Sequence, residues 1–458
     1  MKLFDKNDTI VALASPAGIG ALGVIRLSGP NAIQIAQRLC PRTKVLQMPS
    51  HQARLAMIYE QGRLVDEALL ICFKAPKSFT MEDVVEFSVH GSTYILDQVM
   101  RLCLQQGARL AEPGEFTFRA FLNGRFDLSQ AEAVADLIAA DNEHAHRVAL
   151  NQMRGGFAQE IRELREELIH FASMLELELD FSEEDVEFAD RHQLLALLQR
   201  IQAVVERLRA SFIKGNVIKN GVATVIAGKP NAGKSTLLNA LLREEKAIVS
   251  PIPGTTRDVI EDVIMLGGIK FRFMDTAGLR EATDVIEGLG VERTREKLKQ
   301  AAVIVYLFDL RDTSLASLQA ELSDLQLGDT PLILVGNKVD ELHDLSQMQL
   351  FRDQFEELLF ISAKAGDGLA ELESRLLQVV QAGQLQQEKI VANARHEQAL
   401  GKAAESLLSV QQGLQTGISS ELVAQDIRRT LHFLGEITGE VSTDDLLGNI
   451  FSKFCIGK

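Results

Sequence analysis

Gly228-Lys229-Pro230-Asn231-Ala232-Gly233-Lys234-Ser235 follows the apolar run 222–227 and opens a stretch with helical periodicity. It fits G-x-x-x-x-G-K-S in the strand-to-helix setting that the pattern requires. Glycines let backbone N–H groups curl around a polyphosphate, and the helix N-terminus adds positive potential. Asn231, Ala232 and Gly233 then line the phosphates, Lys234 reaches the β and γ positions, and Ser235, followed by Thr236, ligates Mg2+. Outward from this segment, 222–227, 303–308, 331–335 and 358–361 read as buried strands alternating with helical stretches. Residues 259–266 and 269–274 read as a hairpin turned at Gly267-Gly268. That order predicts a mostly parallel sheet with right-handed crossovers and one antiparallel edge strand, an α/β domain over 216–384.

Further motifs fall at the ends of those strands. Thr255-Thr256 lies in a glycine-containing connection, where a hydroxyl completes a magnesium shell only while a γ-phosphate is present. Asp275-Thr276-Ala277-Gly278 ends the next strand; Asp275 can hold the metal through water, and the Gly278 amide can follow the γ-phosphate. Asn337-Lys338-Val339-Asp340 ends another, where Asp340 can accept hydrogen bonds from the ring N–H and exocyclic amine of guanine together. Adenine lacks that amine, and a site built around a polar partner rejects the analogue lacking it by about 10⁴–10⁵. Ser362-Ala363-Lys364, after the last strand, lines the guanine oxygen with backbone N–H. The set in this order predicts a Ras-like GTPase domain. After Gly278 stands Leu279, where Ras-like domains carry a water-orienting glutamine, so another group must complete hydrolysis.

The remainder of the chain has to be more than one domain, because 458 residues exceed a single ordinary core. Residues 1–120 alternate short β-rich runs such as 23–27 and 84–89 with helical stretches, an α+β pattern. From 121 to 215 the period lengthens: Ile161, Leu164, Leu168, Phe171 and Leu175 share one helical face, as do Leu194, Leu198, Ile201, Val205, Leu208 and Phe212. After a glutamine-rich stretch the pattern returns in 385–458 with Leu422, Ile427, Leu431 and Leu434, then Leu446, Leu447, Ile450, Phe451 and Phe454. Helices on either side of 216–384 are therefore expected to pack together as one discontinuous helical domain, with the nucleotide domain inserted.

A net charge of −15 argues against a broad electrostatic grip on nucleic acid, so any RNA contact is local or shared. The 4 cysteines are far apart and form no CxxC, which fits a reducing cytoplasm. No targeting segment or run of transmembrane length is read, so no membrane association is expected. Gly18-Ile19-Gly20-Ala21-Leu22-Gly23 matches G-x-G-x-x-G but leads into a strand and lacks a following ribose-binding acid, so it reads as a turn. His144, His146 and His396 lack metal-ligand spacing.

Three further stretches carry a resemblance: Pro113-Gly114-Glu115-Phe116-Thr117 with Arg119-Ala120-Phe121-Leu122-Asn123-Gly124, Asp127-Leu128-Ser129-Gln130-Ala131-Glu132-Ala133, and Phe454-Cys455-Ile456-Gly457-Lys458. With them, the chain from residue 8 to 458 resembles the MnmE (TrmE) family of tRNA-modification GTPases. The resemblance implies a homodimer that works with the flavoprotein MnmG (GidA) as a heterotetramer. Together they would add a carboxymethylaminomethyl or aminomethyl group at position 5 of the tRNA wobble uridine. The one-carbon donor would be 5-formyl- or methylene-tetrahydrofolate, held in an N-terminal domain (1–120) that also dimerises, at positions matching Arg26, Glu86, Arg125 and Lys458. Potassium would stand in for an arginine finger, ligated by Asn231, Ser250, Ile252 and Thr255, while Ser235 and Thr256 hold Mg2+. The loop Ser250-Pro251-Ile252-Pro253-Gly254-Thr255-Thr256 would fold over GTP, and Glu287 would orient the attacking water, joining Lys234 and Asn231 in catalysis. Cys455, beside Lys458, is a candidate reactive thiol. A GTPase switch serving ribosome assembly or regulation, with the N-terminal part only an interaction module, is the competing reading.

Overall fold

The computed structural model describes residues 8–180, 190–244, 262–274, 301–324, 330–342, 346–379, 390–416, 418–452, 454 and 456–457. The chain forms two compact units. One comprises Met1–Ala140, Ala149–Arg209 and Arg395–Lys458; the other comprises Asp141–Val148 and Ala210–Ala394.

The first unit holds a sheet of β1 (Ile10–Leu13), β2 (Leu22–Ser28), β3 (Gln52–Glu60), β4 (Arg63–Phe73), β5 (Val84–His90) and β6 (Arg109–Leu110). Its order is β3-β4-β5-β2-β1-β6, antiparallel except for the β1–β6 pair. Side chains alternate across a strand, so Ile25 and Leu27 enter the core while Arg26, between them, faces the other way. The β2–β5 register sets Arg26 directly opposite Glu86. The helices Ala32–Leu39 and Thr93–Gln105 cover the apolar face with Ile35, Leu39, Val99 and Leu102.

The helical part of this unit begins with Glu115–Leu122 and Leu128–Ala139. Gly114 enters the first of these at φ 70, and a Cβ there would lie 2.5 Å from the Phe451 carbonyl oxygen, so glycine is required. Asp127 caps the second in a capping box with Gln130 and also takes Arg162 at 2.8 Å. The helices Ala158–Asp180 and Ser420–Thr438, from opposite sides of the inserted segment, do pack together. Arg165 Nε donates to the Leu431 carbonyl at 3.1 Å, and Arg428 Nε to Glu176 at 2.9 Å. One member of the expected stripe is misplaced: Leu422 is 51% exposed. Residues 422 and 427 are five apart, outside the three-or-four spacing of one helical face; Val423, Ile427, Thr430 and Leu434 make the buried stripe instead.

In the second unit the strands are β7 (Val222–Ala227), β8 (Asp262–Leu266), β9 (Ile269–Phe273), β10 (Val303–Asp309), β11 (Leu332–Asn337) and β12 (Leu359–Ile361). Their order is β12-β11-β10-β7-β9-β8, parallel throughout except that β8 runs antiparallel to β9 at the edge. Gly267 (φ 53) and Gly268 (φ 78) make the two-residue turn that matches strand twist. β10 is buried at every position, as a central parallel strand covered on both faces must be. Among the described residues no helix is long and apolar enough to cross a membrane.

Candidate functional site

β7 ends at Ala227, and the chain turns through Gly228 (φ 140), Asn231 (φ 64) and Gly233 (φ 100) into the helix Lys234–Glu244. Two of these glycines are also fixed by close approach. A Cβ on Gly228 would lie 2.0 Å from the Leu307 carbonyl, and one on Gly233 would lie 2.2 Å from Asn337 Nδ2. Lys234 folds back over the turn and donates to the carbonyls of Gly228 and Lys229, both at 2.8 Å. Burial pulls its ammonium below the ordinary lysine value, which favours a charged partner such as a phosphate. Ser235 is half-buried and Thr236 exposed at the mouth of this helix.

Parallel register brings the other motifs to the same sheet edge, because β7, β10, β11 and β12 all end there. Asn337, last in β11, is buried and joins three segments. Its Nδ2 donates to the Ala232 carbonyl at 2.8 Å, and its Oδ1 accepts from the Ala363 amide at 3.0 Å. Lys338 takes the left-handed conformation (φ 71), and Asp340 is exposed. Ser362 Oγ accepts from the Ala365 amide at 3.0 Å, shaping the turn that carries Lys364. The sequence thus names residues that meet: Asn231 to Thr236, Asn337 to Asp340, and Ser362 to Lys364. Ser250, Pro251, Ile252, Pro253, Gly254, Thr255, Thr256, Asp275, Thr276, Ala277, Gly278, Leu279 and Glu287 lie outside the described residues.

Sequence reasoning missed a charged cluster beside this edge. Asp309, last in β10 and paired in register with Asn337, accepts from Lys338 Nζ at 2.6 Å and from Arg311 Nη2 at 2.7 Å. Burial alone would raise its carboxyl, but the hydrogen bonds from Arg311 and Lys338 outweigh it and hold Asp309 far below the usual carboxylate range. The available signal was an acid closing a wholly apolar strand.

On the sheet of the first unit, Arg26 Nε donates to Glu86 Oε1 at 2.7 Å and its Nη1 to the Gly457 carbonyl at 3.2 Å. The pair is only 17% and 21% exposed, so it is not a solvated surface bridge, and charged hydrogen bonds in such settings contribute about 1.5–3 kcal/mol. The guanidinium groups of Arg26 and Arg125 both lie over the Phe79 ring, at 5.7 and 5.1 Å from its centroid. A cavity of about 490 Å³ opens here, lined by Phe79, Phe73, Ser78, Glu86, Arg125 and Lys77 among others. Arg26, Glu86 and Arg125 are therefore brought together; Lys458 and Cys455 lie outside the described residues, although Gly457 beside them contacts Arg26. Phe79 and Ser78 were not legible, since a lone aromatic in a loop has no periodic signature.

A glycine turn after a buried parallel strand, opening a helix with Lys-Ser and facing an Asn-Lys-x-Asp loop, makes the second unit a P-loop GTPase domain. Family profiles described as "MnmE helical domain" and "GTP-binding protein TrmE N-terminus" match residues 128–455 and 9–125. Proteins named tRNA modification GTPase MnmE from Cytophaga hutchinsonii and Flavobacterium psychrophilum are 58% and 51% identical. The alignments cover 99% of this chain in both cases, and 98% and 99% of those proteins. The crystal structure of Era with MgGDPNP and nucleotides 1506–1542 of 16S ribosomal RNA is 28% identical, covering 40% of this chain and 65% of that one at a TM-score of 0.28. The chain belongs to the MnmE (TrmE) family of tRNA modification GTPases, and it is an enzyme that hydrolyses GTP.

Proposed function

We propose that the chain is a GTP-driven tRNA modifier that, with a flavoprotein partner of the MnmG (GidA) type, installs the carboxymethylaminomethyl or aminomethyl group at position 5 of the wobble uridine. The observation that carries this reading is the cavity lined by Phe79, Glu86 and Arg125, with Arg26 beside it on Glu86 and over the Phe79 ring. Its donor set suits a tetrahydrofolate. The Glu86 carboxylate accepts from N–H groups on a pterin edge, Phe73 and Phe79 offer flat apolar walls, and Arg125 offers charge to a glutamate carboxylate. A volume of about 490 Å³ lies within the roughly 300–1,000 Å³ of small-molecule sites. When bound, 5-formyl- or methylene-tetrahydrofolate supplies the one-carbon unit. Lys458 and the Cys455 thiol belong to the same proposal.

For hydrolysis, Lys234 and the amides of 231–236 hold the phosphates, Ser235 with Thr256 holds Mg2+, and Asp340 reads guanine. Asn231, with Ser250, Ile252 and Thr255, would hold K+, and Glu287 would orient water. Asn231 fits a cation role because it is exposed on the phosphate loop and carries a side-chain carbonyl oxygen, a hard ligand. In this reading the protein acts in the cytoplasm as a homodimer paired through residues 1–120. The segments 121–215 and 385–458 form the helical frame, and 216–384 the G domain. With a net charge of −15, tRNA is held locally or jointly with the flavoprotein.

The test is mass analysis of wobble uridines from cells lacking the protein, complemented with wild type or with Arg125→Ala. The proposal expects loss of the modified nucleoside, restored by wild type only, and at least a tenfold weaker binding of 5-formyltetrahydrofolate to the variant, roughly the value of one charged hydrogen bond. Unchanged tRNA in the deletion strain would sink the modifying role; unchanged folate affinity would remove the cavity from it.

A further inference from the structure

Guanine-reading loops act only if their side chains are held in place, and the loop 337–340 has two independent supports. Asn337 ties it to the phosphate loop and to Ala363 through neutral amide bonds. A second support is ionic. Asp309 accepts from Lys338 Nζ through Oδ2 at 2.6 Å, and from the backbone amide and Nε of Arg311 through Oδ1, both at 3.0 Å. Arg311 in turn donates to Glu341, the neighbour of Asp340. Asp309 is almost buried, with 11% of its side chain exposed, and it belongs to a fully buried central strand rather than to the loop.

We propose that Asp309 is a positioning residue for base recognition, fixing Lys338 by a direct ion pair and Glu341, next to Asp340, through Arg311. The proposal rests on the reading of 337–340 as the base-reading loop. A lysine side chain has four rotatable bonds and loses much rotamer freedom when it is held. A fixed partner on the strand removes that cost before the base arrives, so Asp309 lowers the rate at which nucleotide escapes rather than contacting it.

The test is the dissociation rate of fluorescent GDP from the full chain, for wild type, Asp309→Asn, Lys338→Met and the double variant. Asp309→Asn keeps the shape and removes the charge. It is expected to accelerate release about tenfold, the value of a partly buried charged hydrogen bond. Lys338→Met is expected to accelerate release at least as much as the Lys338 pair is worth, with the double variant faster than Lys338→Met alone by no more than the about threefold of the Arg311 arm, because the two variants share the Lys338 pair. Additive acceleration would overturn the proposal, as would an unchanged rate in Asp309→Asn. Should Asp309→Asn fail to fold, Arg311→Ala carries the test. It is expected to speed release by about threefold, the smaller effect of an exposed partner, and unchanged release would overturn the proposal. Asp340→Asn separates this proposal from the reading beneath it. If that variant does not move preference from guanine towards xanthine nucleotides, the loop is not the base reader and the positioning role falls with it.

Discussion

The two units hold their polar groups by different means. In the nucleotide unit the phosphate loop is shaped by glycine backbone, by Lys234 on the carbonyls of Gly228 and Lys229, and by one neutral side-chain amide, Asn337, with its ion-pair cluster set to one side at Asp309. The other unit is organised by buried charge: Arg26 on Glu86 beside the cavity, Arg119 and Arg109 on Glu115, and Arg395 with His396 on Glu132. A backbone cradle depends on φ values and residue spacing, so it is written as a short linear motif. A cavity assembled by side chains from separate strands leaves no such mark.

The largest expected effect breaks the backbone half of that comparison. Gly233→Ala places a methyl group 2.2 Å from Asn337 Nδ2 at a φ of 100. Loss of GDP affinity by about a thousandfold is expected from that strain and clash, read by titration of fluorescent GDP, with the first unit's thermal transition unmoved. Retained affinity would show that the loop is not held where the amide bond places it.

A smaller effect sharpens the ionic half. Burial would raise the Glu132 carboxyl, but His396 and Arg395 outweigh it and bring it down to about 2. A carboxylate depressed in the folded state contributes stability that is complete above its unfolded value, near 4.3. That contribution is lost as pH falls towards 2. Glu132→Gln is therefore expected to cost on the order of 3 kcal/mol at pH 7. The deficit relative to wild type should shrink between about pH 4.5 and pH 2 in urea titrations of the full chain. A deficit independent of pH would assign Glu132 a packing role instead.

Legibility followed the same division. Short apolar runs between helical stretches placed β7, β10, β11 and β12 within two residues of their observed bounds, and Gly267-Gly268 announced the hairpin. These signals depend on neighbours in sequence. Glu132 sits in the stretch 127–133 that marked the family resemblance, yet no periodic rule reveals that its carboxylate is buried on Arg395 and His396, more than two hundred residues away. The same holds for Gly114 against Phe451 and for Arg26 against Gly457. Leu422 failed for a local reason: hydrophobicity was read without the five-residue gap that turns it out of the stripe.

Nucleotide choice is the property that the base-reading loop most directly controls. Calorimetric titration of the full chain with GDP and with ADP, in Mg2+ and at one ionic strength, measures it. The arrangement of Asn337, Lys338 and Asp340 predicts GDP binding with ADP weaker by about 10³ or more, as expected for a site built on a polar partner that adenine cannot meet. ADP bound within about tenfold of GDP, a difference of only ~1.4 kcal/mol, would contradict it.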